Sequence, residues 1–296
     1  MTIKATIIAD SIHNDTRITT FELEYPRFIH SEFMTHRMFS RNAASSRAIP
    51  VTKMHDTINN DPAMPVYWGK NRPGMSAEGE VDDIMAAKEV WQNAKNAAIN
   101  YATDLSALGS HKQITNRITE PYQNIKTVMT ATEFKNWFEL RYHEDAQPEI
   151  KVLAGKMFGQ MQLSTPQELW PGQWHVPYVA TIIVEGKMQY WLDESTEITR
   201  DEAIKVSASC CAQVSYRNND TSLKKAEMIY DRLITSVPMH ASPIEHQATP
   251  LSMPFHRSLL RQKWDLGMTH VDRKGDCWSG NFKNWAQYRQ ILSQST

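Results

Sequence analysis

The chain has 296 residues, 41% of them hydrophobic, and a formal net charge of -1. That length supports a sizeable core in one large domain or two smaller ones, and the near-neutral balance argues against a general nucleic-acid binder, which carries a basic excess over one face. No stretch approaches a membrane span, and the opening MTIKATIIADSIHND is too short in apolar run and too soon acidic for a signal peptide, so a cytoplasmic protein is expected. Three cysteines, with Cys210 and Cys211 adjacent and Cys277 distant, form neither a disulfide framework nor a zinc pattern and are expected to be reduced structural thiols; no metal site is expected.

In chain order, residues 3–9 and 18–25 read as strands, the second by its alternation of apolar and polar positions, and Pro26 stops the ladder. FIHSEFMTHRMFS then turns helical. Residues 35–47, THRMFSRNAASSR, follow as a short exposed loop crowded with hydrogen-bond donors: Arg37, Arg41 and Arg47 as forks for phosphate or carboxylate, His36 as a titratable donor, and Ser40, Asn42, Ser45 and Ser46 as neutral ones. Small Ala43, Ala44 and Ala48 let a ligand approach the backbone. An anionic guest and a solvated basic loop are equally compatible with this composition. VYWGKNRPGM is a turn-rich loop in which Tyr67 and Trp68 serve either as stacking surfaces over a ring system or as ordinary anchors.

From Asp82 to Leu108, apolar positions Ile84, Trp91, Ala98 and Leu105 repeat every seven residues, which predicts a long amphipathic helix ended by Gly109. Asn136, Glu139, Arg141 and His143 sit among Phe134, Trp137, Phe138 and Leu140, so one helix presents an apolar face and a polar edge. A guanidinium beside an apolar wall suits a pyrimidine carbonyl, although a surface ion pair of Arg141 with Glu144 or Asp145 is the plainer alternative. Pro148 ends or kinks this helix, unless it opens the next one.

Residues 35–48 resemble the signature of the flavin-dependent thymidylate synthases, R-H-R-x-x-S-x-N-E-x-S-x-R-Y. His36, Arg37, Ser40, Asn42, Ser45 and Arg47 fit, and Thr35, Ala43 and Ala48 depart from it. Arg117 and Pro121 resemble the family's R-x-x-x-P turn, and Asn136, Leu140, Arg141 and Gln147 its N-x-x-x-L-R...A-Q-x-E helix. CCAQVSYRN at 210–218 and MHASPIEHQATP at 239–250 resemble its A-R-V-S-F and H-x-S/T-P-F-E-H segments, with Gln213 and Ile244 as departures. In shorter members these two segments precede the signature; here they follow it, as in a longer, permuted branch found in phages and some bacteria. The tail SGNFKNWAQYRQIL also resembles that branch, with no catalytic role assigned to it.

The resemblance implies an α+β fold, an antiparallel sheet core flanked by long helices, in a single domain over 1–296. Its parts are the signature loop at 35–47, a helical part at 81–162 and a permuted C-terminal part at 205–296. It implies reductive methylation of dUMP to dTMP, with methylenetetrahydrofolate giving the methylene and FAD, recharged by NADPH, giving the hydride. Such a route needs no cysteine nucleophile, and no cysteine lies in the donor-rich segments. Ser45, Arg47 and Arg117 are implied to hold the nucleotide phosphate, and Arg141 to bind and polarise the pyrimidine as the catalytic group. His36, Arg37, Asn42, Asn136, Gln147 and His246 are implied to bind FAD, with Glu245 beside His246. The resemblance also implies a homotetramer with the site between subunits, in the cytoplasm of a bacterium or a phage-infected host, with no nucleic-acid or membrane partner.

Three rivals differ in what they predict. A dUMP or dCMP hydroxymethylase captures the methylene intermediate with water, and the loss of the signature Glu and Tyr at Ala43 and Ala48 motivates it. A non-catalytic flavin- or nucleotide-binding protein binds without turnover. An RNA- or DNA-binding loop at 35–47 gives steeply salt-dependent binding to unrelated oligonucleotides.

Overall fold

The computed structural model describes residues 3–215, 220–252 and 264–295. A hairpin opens the fold: β1 (Lys4–His13) and β2 (Thr16–Pro26) are joined at Asn14 and Asp15, whose φ values of 43° and 62° are those a two-residue hairpin turn demands. Pro26 is the last residue of β2. The helical run after it is shorter than its sequence suggests, since α1 covers only His30–Met34 and the chain re-enters the sheet as β3 (Ser40–Ala43). The signature is therefore a strand in its middle, and not a loop throughout. Then come α2 (Val51–Asn60), α3 (Ile84–Ala107), α4 (Lys112–Ile118) and β4 (Asn124–Ala131). Asp83 caps α3 through the Ala86 N–H, and Gly109, at φ 82°, ends it in the left-handed conformation that suits glycine. Trp68 packs edge-on against Trp91 of α3, an anchor for its loop.

Next are α5 (Lys135–Arg141), α6 (Pro148–Leu163) and β5 (Gln167–Glu168), with Pro148 opening α6. The C-terminal half contains β6 (Ala180–Val184), β7 (Lys187–Trp191), β8 (Glu197–Ile198), α7 (Arg200–Ala212) and α8 (Leu223–Thr235). It ends with β9 (Ala248–Pro250), β10 (His270–Val271), β11 (Cys277–Ser279), β12 (Phe282–Lys283), β13 (Trp285–Gln287) and α9 (Tyr288–Ser295). Among the described residues no helix is long and apolar enough to cross a membrane.

The main sheet has the order β3-β4-β2-β1-β5, antiparallel except for the short β1–β5 pair. The fold is α+β. Both faces of the sheet are covered, and the alternation of each strand divides its residues between them. Phe21, Leu23, Tyr25, Ile125 and Met129 point into one core, against Phe33, Phe39, Trp137 and the Ile150, Leu153 and Met157 face of α6. The other face meets the C-terminal half. There Ile18 packs with Phe282 and Trp285, and Val128 packs with Cys211 and Val214. Strand β4, inside the stretch read as helical, is buried on both faces, so its sequence NIKTVMTA lacks a clean alternation.

Candidate functional site

Strand β3 forms one edge of the sheet and pairs only with β4 among the described residues, Ser40 opposite Thr130 and Asn42 opposite Val128. Because successive side chains alternate, β3 divides the signature between the two faces. Arg41 turns toward α1, where its guanidinium donates to the carbonyls of Phe33, Met34 and His36 and so satisfies the end of that helix. Ser40 and Asn42 turn toward the C-terminal half.

On the α1 side, two expected site residues touch. Arg141, in the last turn of α5, donates from Nε to His36 Nε2 at 2.9 Å and from Nη2 to Thr35 Oγ1 at 3.4 Å. It has no ion pair with Glu144 or Asp145. The His36 ring lies edge-on to Trp137 at 4.7 Å and stacks on Phe39 at 5.9 Å. Burial, then the cations Arg141 and Arg41, push His36 down to about 4, so its imidazole is neutral at pH 7 and can accept the Arg141 hydrogen bond. This is a guanidinium held against an aromatic wall. Leu140, beside it, is exposed.

On the other side, Asn42 donates to the Cys211 carbonyl and accepts from Ser242 Oγ at 3.3 Å. Ser40 donates to Asn281 Oδ1 at 3.2 Å and accepts from Gln287 Nε2 at 3.0 Å. Gln287 also reaches the Glu245 carbonyl, and the Glu245 carboxylate pairs with Arg289. Burial raises the Glu245 carboxyl, while Arg289 pulls it the other way. His246 is fully buried, with Nδ1 bonded to Thr130 Oγ1 at 2.9 Å and Nε2 without a partner among the described residues.

The signature's end forms a third cluster. The Ser45 N–H donates to Ser215 Oγ at 3.0 Å. Glu120 Oε1 accepts from Ser46 at 3.3 Å, from Arg117 at 2.9 Å and from Arg27 at 3.0 Å, which ties Arg117 to the signature through one carboxylate. A cavity of about 470 Å³ opens beside it, lined by Ala48, Ile49, Lys53, Thr57 and Ser215. Another, of about 510 Å³ between Trp174, Arg200, Lys205, Tyr230 and Tyr288, contains none of the signature residues.

Arg37, Arg47 and Asn136 are exposed and make no hydrogen bond or ion pair among the described residues. Gln147 stands apart: it is the N-cap of α6, accepting from the Ile150 N–H at 3.1 Å and donating to Glu149, and its amide is engaged there. The segment at 210–218 is described only as far as Ser215, and Tyr216, Arg217 and Asn218 lie outside the described residues. Within that segment Gln213 is buried and ties to Ser209 and Asp220. All three cysteines are buried; burial pushes the Cys210 thiol up to about 12 and raises that of Cys211 as well. Among the described residues no group of three or more His, Cys, Asp or Glu is placed to hold a metal ion.

Sequence reasoning missed the partners of these residues: Asn281, Gln287 and Arg289 from the tail, Glu120, and Thr130. The tail's likeness to the longer branch was the one available signal. Ser40 meets Asn281 across 241 positions, a pairing that no local pattern announces.

The family profile described as thymidylate synthase complementing protein matches residues 16–167. Among solved structures, the chain is similar to the UMP/dUMP methylase PolB from Streptomyces cacaoi bound with 5-Br dUMP, at 20% identity over 50% of this chain and 67% of that one, with a TM-score of 0.42. For the same enzyme bound with 5-Br UMP the values are 18%, 50%, 69% and 0.41. No curated protein sequence matches the chain.

Proposed function

Because the chain belongs to the thymidylate synthase complementing protein family, we propose that it methylates dUMP reductively to dTMP, using methylenetetrahydrofolate, FAD and NADPH. The observation that carries the choice of route is the state of the cysteines. A folate-dependent methylation that starts from a protein thiolate needs an accessible thiol of ordinary or lowered pKa, whereas all three here are buried and the Cys210 and Cys211 thiols are raised. The pyrimidine must then be activated by electrostatics alone.

The residues present fit an anionic, planar cofactor and a nucleotide monophosphate. Arg37 and Arg47 are exposed cations with no internal partner among the described residues, and the buried His246 Nε2 lacks one. His36, Arg37, Asn42, Asn136 and His246 would hold FAD, which when bound supplies the hydride. Gln147 supports the cofactor side only through the start of α6.

Ser45, Arg47 and Arg117 would hold the dUMP phosphate beside the cavity at Ala48, with the phosphate taking over from Glu120 as the anion that Arg117 meets. Arg141 is oriented by neutral His36, and its Nη1 has no partner among the described residues, so the fork can meet a uracil carbonyl and stabilise negative charge on the ring. Arg141 and His246 serve opposite faces of β3, so a complete site brings further walls from another copy in a homo-oligomer, a tetramer in this reading.

One observation favours a second reading. Ala43 packs against the apolar core at the position where the signature has a carboxylate, and a dUMP or dCMP hydroxymethylase would quench the same intermediate with water. Incubation with dUMP, methylenetetrahydrofolate and NADPH, followed by mass analysis of the nucleotide, separates the readings. Thymidylate is the expected product. A product heavier by one oxygen selects the hydroxymethylase, and bound flavin with unchanged dUMP and dCMP leaves a binding protein.

A further inference from the structure

The sheet contains a chain of polar side chains that the proposed reaction has not used. Thr20 of β2 lies opposite Thr130 of β4, and Thr130 opposite Ser40 of β3, so the three hydroxyls line one face in a row across the strands. Two buried histidines attach to this row. His175 Nε2 is 2.8 Å from Thr20 Oγ1, and its Nδ1 is 2.9 Å from Ser11 Oγ. Thr20 and Thr130 Oγ1 atoms are 2.7 Å apart, and Thr130 meets His246 Nδ1 at 2.9 Å. The line Ser11–His175–Thr20–Thr130–His246 thus runs from β1 to the segment beside the signature. Ser11, Thr20, Thr130, His175 and His246 are all buried.

Proton counting makes this line cooperative. Burial pushes both histidines down to about 3, so each is neutral at pH 7 and has one N–H and one bare nitrogen. Each threonine hydroxyl has one hydrogen and takes part in two of these bonds, with no third partner for it among the described residues. If a hydroxyl accepted both bonds, its own buried hydrogen would lack an acceptor, at a cost of about 1–3 kcal/mol. Each hydroxyl therefore accepts one bond and donates the other, and every hydrogen in the line points the same way. Two states satisfy this. In one, both histidines have their hydrogen on Nε2; in the other, both have it on Nδ1.

We propose that His175 is a positioning residue for ligand recognition: through Thr20 and Thr130 it sets whether the buried Nε2 of His246 presents an N–H or a lone pair to a bound cofactor. The proposal rests on the reading that gives His246, on this face of β3, to the flavin. His246 Nε2 has no partner among the described residues, and a polar group of the bound ring system would be its partner. Changing the hydrogen at one end of the line changes the ligand preference at the other, with no charged imidazole formed.

Nitrogen-15 spectra of the full-length protein, with long-range proton correlations in the imidazole rings and assignments from His175→Gln and His246→Gln, test this without turnover. The expected result is one shared tautomer for His175 and His246; opposite tautomers overturn the proposal. Thr20→Val, which keeps the shape and removes the hydroxyl, should uncouple the rings and let His246 change its tautomer mixture, and Thr20→Ser should restore it. A Thr20→Val spectrum with His246 unchanged also overturns the proposal, and if that variant does not fold, the wild-type comparison still decides. On saturation with FAD, the His246 Nε2 resonance should shift; no shift removes the role in recognition. Coupled tautomers with no thymidylate formed would count against the proposed reaction alone, and thymidylate formed with opposite tautomers against the positioning role alone.

Discussion

The two faces of the sheet at β3 are built on different physics. On the α1 side, Phe33, Phe39, Phe134 and Trp137 pack ring against ring, and the polar groups His36, Arg41 and Arg141 are set into that wall. On the C-terminal side, hydroxyls, amides and imidazoles from β2, β3, β4, His175, His246 and the tail satisfy one another. Packing is non-directional and degrades gradually when atoms are removed. A buried hydrogen-bond network is directional, and each deletion orphans a named atom. The first face is suited to hold an apolar ring and one charge, the second to fix where hydrogens lie.

The sharpest way to break the contrast is Trp137→Ala, which opens the aromatic wall under His36. A loss of about 3–5 kcal/mol is expected, measured by urea unfolding. A loss below about 1 kcal/mol would mean that packing does not hold that face. Arg141→Ala comes next. It should lower turnover by about 10²–10³-fold, as deleting a preorganised donor does, while bound FAD per subunit changes little. Equal losses of both would place Arg141 at the flavin or in folding.

The polar face should show itself in pH, beyond what His36 contributes from the aromatic one. The folded pKa values of His175 and His246 are lowered to about 3, below the ordinary 6.5, so the unfolded chain binds protons that the folded one refuses. The stability is fully present above pH 6.5 and is lost as pH falls from there toward 3, with a slope of up to about 1.4 kcal/mol per pH unit for each histidine. Urea midpoints measured from pH 8 to pH 4 check this, and a flat curve would contradict it. The smallest effect is expected from Gln147→Ala: about 1 kcal/mol from the lost cap of α6, with product formation retained. Loss of flavin without loss of stability would return Gln147 to the cofactor.

Much of this was legible in the sequence, for physical reasons that differ by element. Strand β2 and helix α3 announced themselves because each has one consistent periodicity and a clear stop at Pro26 or Gly109. Strand β4 did not, because residues buried on both faces lose the alternation that marks a strand. The signature's donors were visible as composition, but not their division between two faces, which follows from the pairing of Ser40–Ala43 with β4. His246 was found through its motif. Its partner Thr130 was not, nor the link onward to Thr20 and His175, which forms only when strands 110 positions apart align. Gln147 shows the reverse case, a motif position that was visible while the engagement of its amide by its own helix was not.

The buried thiols bear on how this chain could be inhibited. Compounds that disable an enzyme by capturing an exposed thiolate, whether alkylating agents or pyrimidine analogues that need sulfur attack to become trapped, find no accessible sulfur at Cys210, Cys211 or Cys277. In the proposed reaction, a selective inhibitor would compete for Arg141, or freeze the polar row at Thr20 and Thr130 in the wrong hydrogen order.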